Sequence, residues 1–201
     1  MSPLKTILLV LAVALVAVGA RFWLLPGQGT PAATTTSALT VIGGPFTLQD
    51  SSGKTVTQAN FAGKYMLVYF GYTYCPDVCP TSLQTMTAAL QQLPAEKTAK
   101  LTPIFISVDP ERDSLALIGQ YVQHFYPGMV GLTGTPEQVA AAAKAYRVYF
   151  AKVADKTGDP TAYLMDHSAI TYLMGPDGAF ITHFPHDTTP AQMAAKLAGI
   201  L

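Results

Sequence analysis

Leu67-Val68-Tyr69-Phe70-Gly71-Tyr72-Thr73-Tyr74-Cys75-Pro76-Asp77-Val78-Cys79-Pro80-Thr81-Ser82-Leu83 holds both cysteines of the chain. Residues 65–70 are short, apolar and free of Gly and Pro, which predicts a buried strand. After Pro80 the apolar residues Leu83, Met86, Ala89, Leu90 and Leu93 recur at helical spacing, predicting a helix over 80–93. The two thiols therefore fall where a strand passes into a helix. A residue before proline is biased away from the α region, so Cys79 is expected to cap that helix. Pro80 then takes the first helical position, where its missing N–H costs nothing. Unpaired N–H groups and the positive end of the helix dipole favour thiolate over thiol. A thiolate both attacks disulfides and binds metal, so the turn leaves redox and metal chemistry open.

Outward from this stretch, 201 residues allow one domain plus an appendage. Twelve basic and twelve acidic residues give no net charge, which offers no support for nucleic acid as the main partner. Two cysteines are too few for a disulfide scaffold in a domain of this size.

The excess of apolar residues lies at the N-terminus. Ile7 to Ala20 is apolar apart from Gly19, and Phe22-Trp23-Leu24-Leu25 extends the run beyond Arg21. A bilayer needs about 20 residues, and residues 6–25 reach that length. Lys5 stays inside, Arg21 snorkels at the far interface, and Trp23 suits the same depth. Residues 1–25 are read as an uncleaved membrane anchor; the competing reading is a signal peptide cut after Val18-Gly19-Ala20. Either way the rest of the chain is exported. Residues 26–40 carry no charge and no periodicity and read as a flexible linker, leaving 41–201 as the folded domain.

Within that domain, Pro45–Gln49 and Lys54–Thr57 flank Asp50-Ser51-Ser52-Gly53, a hairpin signal. A second buried strand is expected over 102–108, followed by a helix capped by Asp113 or Ser114 and running to about Phe125. Met129–Thr133 reads as a short strand. Thr135-Pro136-Glu137-Gln138 has the cap, first-turn proline and capping-box Gln of a helix start. Val148–Val153 is expected to be a strand and 154–162 a polar loop. Ala169–Met174 and Phe180–Phe184 flank the turn Gly175-Pro176-Asp177-Gly178, and Thr189-Pro190 opens a last helix. Strands alternating with helices and closing in a hairpin imply an α/β sandwich, a mixed central sheet flanked by helices. A cysteine pair after the first long strand selects the thioredoxin-like arrangement.

Three readings compete for Cys75 and Cys79. A structural disulfide closing so short a loop constrains the unfolded chain little. A redox dithiol is the second, although such enzymes typically carry Cys-x-x-Cys, one residue shorter. The third is a metal site, in which two soft thiolates favour Cu(I), with zinc as competitor. A third ligand would decide. His124, His183 and His186 read as structural or exposed histidines. His167 leads into the penultimate strand, which in a thioredoxin-like sheet begins beside the cysteine turn. Asp77 and Asp166 are candidates to orient the ligands from behind, with a simple first-turn charge as the plainer role for Asp77. Met165 is expected to pack in the core rather than lend its thioether.

Residues 71–80, Ser107-Val108-Asp109-Pro110-Glu111-Arg112-Asp113, Gly131-Leu132-Thr133-Gly134-Thr135, Asp166-His167-Ser168 and Tyr172-Leu173-Met174-Gly175-Pro176-Asp177-Gly178 together resemble the SCO/SenC family of copper chaperones. The likeness runs in order from about residue 44 to the end. It implies a membrane-tethered thioredoxin-like domain that binds a copper ion through Cys75, Cys79 and His167. It also implies delivery of that copper to the binuclear copper centre of cytochrome c oxidase. The partners implied are the copper-receiving subunit of the oxidase and a periplasmic copper donor. The location implied is the bacterial inner membrane, with the domain facing the periplasm. The alternative is a thiol–disulfide oxidoreductase that keeps the cysteines of the oxidase copper site reduced. It needs Cys75 and Cys79 but not His167. The chain has no proline between Pro160 and Pro176, where thioredoxin-family enzymes usually carry a cis-proline facing the redox pair. That tilts the reading towards metal and away from an enzyme.

Overall fold

Strand β3 (Tyr65–Gly71) is buried on both faces, and its side chains alternate between two cores. Leu67 and Tyr69 face one core, Met66, Val68 and Phe70 the other. This is the period-2 signature of a central strand covered on each side by helices. The computed structural model describes residues 42–154 and 162–201. The anchor and linker expected over 1–25 and 26–40, and most of the polar loop expected over 154–162, lie outside the described residues. Among the described residues no helix is long and apolar enough to cross a membrane.

The remaining strands are β1 (Thr47–Asp50), β2 (Thr55–Thr57), β4 (Leu101–Ser107), β5 (Val130–Thr133), β6 (Phe150–Ala154), β7 (Tyr163–His167), β8 (Ile170–Met174) and β9 (Phe180–Pro185). Six of them join β3 in one seven-stranded mixed sheet, in the order β2-β1-β5-β4-β3-β8-β9. Strands β3, β4 and β5 run parallel, and the outer strands are antiparallel to their neighbours. Helices α1 (Val78–Gln91), α3 (Leu115–Phe125) and α5 (Pro190–Ile200) cover one face through Leu83, Met86, Ile118, Val122, Met193 and Leu197. Helix α4 (Pro136–Ala145) covers the other through Val139, Ala142 and Ala143. A short helix α2 (Ala95–Thr98) and a 3-10 turn at Gln58–Phe61 were not signalled by the sequence pattern. The architecture is the thioredoxin-like α/β sandwich expected, with helices on both faces of a mixed sheet.

The local signals act as their chemistry dictates. Thr135 and Thr189 accept from the backbone N–H of Gln138 and Gln192, and each glutamine returns a bond to the cap backbone. Gly178 sits at φ +78°, the left-handed position that closes the β8–β9 hairpin.

Two expectations need correction. Cys79 does not cap α1: Asp77 does, Val78 opens the helix, and Cys79 and Pro80 are its second and third residues. Pro80 remains in the first turn, where its missing N–H leaves no intrahelical bond unmade. Of the two caps expected for α3, Ser114 takes the position and accepts from the Leu117 N–H, while Asp113 turns into the protein. Finally, Tyr163–His167 is a strand rather than a lead-in. It pairs antiparallel with β6, Phe150 opposite His167, in a two-stranded ribbon separate from the main sheet.

Candidate metal centre

The cysteine turn leaves β3 at Gly71. A Cβ on Gly71 would lie 2.9 Å from the Cys79 Sγ and 3.0 Å from ring atoms of both Tyr69 and Phe105. The missing side chain is thus the space into which the Cys79 sulfur fits, and Cys79 is fully buried. Cys75 is half-buried; its sulfur accepts from the Cys79 backbone N–H at 3.3 Å. The turn wraps the first sulfur around the N-terminus of α1, where free N–H groups support a thiolate.

His167 ends β7 and reaches across to the sulfurs. Its Nε2 lies 3.2 Å from Cys79 Sγ, and Nδ1 is 3.3 Å from the Ser168 carbonyl. A proton on Nδ1 donates to that carbonyl and leaves the Nε2 lone pair turned towards the sulfur. The ring is gripped edge-on by Tyr69 and Tyr72, with centroids 6.0 and 5.9 Å away. The donor atoms of Cys75, Cys79 and His167 all lie within 4.8 Å of one another. With bond lengths of about 2.3 Å to sulfur and about 2.0 Å to nitrogen, a trigonal ion holds its donors about 3.7–4.0 Å apart. The three atoms therefore fit one ion with adjustments of up to about 1 Å.

The sulfurs differ electrostatically. A hydrogen bond from the Cys79 thiol holds Cys75 down to about 3, opposed by burial and helped by His167 and the backbone N–H groups of Cys79 and Asp77. Cys79 is pushed up by that same bond, by burial and by the charge on Cys75. Metal-free, the pair is one thiolate sharing one proton. Burial and the nearby sulfurs also push the Tyr69 and Tyr121 hydroxyls up, so both phenols stay protonated.

Both halves of the cluster are tied to the turn at 109–113. Asp113, fully buried, accepts from Thr73 Oγ1 at 2.6 Å, Thr73 N at 3.0 Å and Ser107 Oγ at 2.6 Å. Thr73 lies in the cysteine turn, so this carboxylate fixes the sulfur side. On the other flank, Asp109 accepts from Arg112 Nε at 2.6 Å and from the Tyr163 hydroxyl at 2.7 Å. Arg112 Nη1 donates to the Tyr163 carbonyl at 2.8 Å. Thr73, Ser107, Asp109, Arg112 and Asp113 lie within the motifs that resemble the family, whereas Tyr163 lies outside them. The partners of these buried aspartates lie far off in the chain, and only the fold brings Thr73 to Asp113 and Tyr163 to Asp109.

The other candidates stay apart. His124 packs edge-on against Phe125, His183 stacks on Phe180, and His186 Nδ1 meets Ser82 Oγ at 3.0 Å. Met165 is buried in the core, as expected. The Asp77 carboxylate accepts from Thr81 Oγ1 at 3.3 Å, within its own helix turn. Asp166 is exposed on the ribbon.

A thioredoxin-like domain whose Cys-x-x-x-Cys turn faces an imidazole from a separate ribbon defines the class. The comparisons with known proteins agree. Residues 34–201 match the family model SCO1/SenC, and the chain belongs to that family. It is similar to Protein SenC of Rhodobacter capsulatus, 47% identical over 83% of this chain and 74% of that protein. The mitochondrial SCO1 homolog of Homo sapiens is 43% identical over 79% of this chain and 52% of its own length. The match spans about half the length of such mitochondrial relatives. Among solved structures, Bradyrhizobium japonicum ScoI with copper bound superposes with a TM-score of 0.71, at 47% identity, covering 80% of this chain and 99% of that one.

Proposed function

We propose that this chain carries one copper ion on Cys75, Cys79 and His167 and delivers it to the binuclear copper centre of cytochrome c oxidase. The observation that carries the reading is the convergence of two sulfurs and one imidazole nitrogen within 4.8 Å, in a relative of proteins solved with copper bound. Two thiolates and a neutral imidazole give Cu(I) a soft, low-coordinate site of net charge minus one. Cys79 is sealed beneath the surface, whereas Cys75 and His167 are partly exposed. An incoming thiolate therefore approaches from the Cys75 and His167 side, and transfer runs by ligand exchange through a shared intermediate. On this reading the protein is a carrier rather than an enzyme. Residues 1–25 tether it to the bacterial inner membrane, 26–40 are the linker, and 41–201 face the periplasm, where a copper donor loads the site.

A thiol–disulfide oxidoreductase is the second reading, favoured by the depressed Cys75 thiol beside a protonated Cys79. It keeps the receiving cysteines reduced and does not use His167 as a ligand. Two incubations separate them: the copper-loaded protein with the reduced, copper-free receiving subunit, and the reduced, copper-free protein with the oxidised subunit. Delivery predicts that copper moves and that His167→Ala abolishes the transfer. Reduction predicts that the oxidised subunit is reduced equally well by wild type and His167→Ala, with no copper moved.

A further inference from the structure

His167 is not on the main sheet. It sits at the end of a two-stranded ribbon whose pairing is internal to β6 and β7, so its distance to the sulfurs depends on β8, which begins at Ile170, as well as on what holds that ribbon. Arg112 does so with two hands. Its Nε is committed to the buried Asp109 carboxylate at 2.6 Å, and its Nη1 to the Tyr163 carbonyl at 2.8 Å, at the start of β7. The guanidinium also lies over the Tyr163 ring, 3.5 Å from its centroid, while the Tyr163 hydroxyl returns to Asp109. By contrast the ion pair between Lys152 on β6 and Glu111 in the 109–113 turn is exposed and contributes little.

We propose that Arg112 is a positioning residue that sets the reach of His167 to the Cys75–Cys79 sulfurs by clamping the start of the β6–β7 ribbon to Asp109. It touches no ligand atom of the cluster. The planar fork is what the job requires, because two donors in fixed relative orientation fix both the distance and the tilt of the strand. A lysine keeps the charge but supplies no such fork. As it concerns copper, the inference rests on the reading given under Proposed function.

The full chain is titrated with Cu(I) against a chromophoric chelator under reducing conditions, as wild type, Arg112→Gln, His167→Ala and the double variant. Arg112→Gln is expected to weaken binding by about tenfold while His167 is present. With His167 already Ala, the same change is expected to cost less than about twofold. Equal losses in the two backgrounds mean that Arg112 acts through general stability, and overturn the proposal. A metal-free arm reads position directly. NOEs between the His167 ring and the Tyr69 and Tyr72 rings should weaken in Arg112→Gln, while those within the core among Leu67, Leu83 and Met86 persist; retention of the His167 contacts overturns the proposal. Should Arg112→Gln fail to fold, Arg112→Lys carries the same comparison, and a wild-type result from it overturns the role of the fork. A wild-type protein that binds no Cu(I) sinks the copper reading, and the NOE arm then decides the positioning role alone.

Discussion

Gly71→Ala perturbs the site through a single added methyl group. Two effects oppose each other. Removing a strand glycine restricts the unfolded chain and stabilises by about 0.4–1 kcal/mol. Against this, the new Cβ lies 2.9 Å from Cys79 Sγ and 3.0 Å from Phe105 Cε2 and Tyr69 Cε1. All three neighbours are fully buried, so none swings into solvent, and overpacking of this kind costs about 1–3 kcal/mol. The clash wins, with a net loss of about 1–2 kcal/mol, equivalent to a melting temperature lower by roughly 2–8 °C. Thermal melts of the reduced, metal-free protein read this directly. Cys79→Ser, with its shorter bond to a smaller atom, should recover part of the loss in the double variant. A Gly71→Ala protein that melts at or above the wild-type temperature would refute the claim that Gly71 exists to seat the sulfur.

Three further outcomes follow from the site's electrostatics and geometry. Cys75 is held down to about 3, so the reduced, metal-free protein should show one thiolate by ultraviolet absorbance, with Cys75 alkylation nearly flat from about pH 5 to about pH 8. Because that folded value lies below the ordinary thiol value, Cys75 adds stability that is complete above about pH 9 and is lost as pH falls towards about 3. A thiolate signal that first rises between about pH 8 and about pH 9 would contradict this. Thr73→Val removes the 2.6 Å bond to the buried Asp113 carboxylate and should cost about 1–3 kcal/mol by chemical denaturation. Lys152→Ala, which breaks only the exposed pair with Glu111, should cost less than about 1 kcal/mol.

The sequence carried the sheet and its helices because their signals are local. The alternating core of β3, the capping boxes at Thr135 and Thr189 and the turn at Gly175–Gly178 each involve residues close in the chain. It misplaced Cys79 because the bias of a residue before proline is weak enough for the helix to begin at Val78, with Cys79 inside its first turn. It missed β7 because Tyr-Leu-Met-Asp-His is short and mixed, and one buried residue, Met165, is too little to mark a strand. For the same reason Asp109, Arg112 and Asp113 were visible as a motif but not as a scaffold. Their partners, Tyr163 and Thr73, lie about 40–50 residues away and are brought near by tertiary structure alone. His167 was reachable through the expected fold, which places the entry to β8 beside the cysteine turn, and through the Asp166-His167-Ser168 motif of the family resemblance.

The central claim is that Cys75, Cys79 and His167 share one copper ion, and Cu(I) titration under reducing conditions tests it most directly. Wild type should take up one ion per chain, and His167→Ala should bind it about 10–100-fold more weakly while the Cys75–Cys79 disulfide still forms on oxidation. Copper bound equally tightly by both proteins would contradict the account.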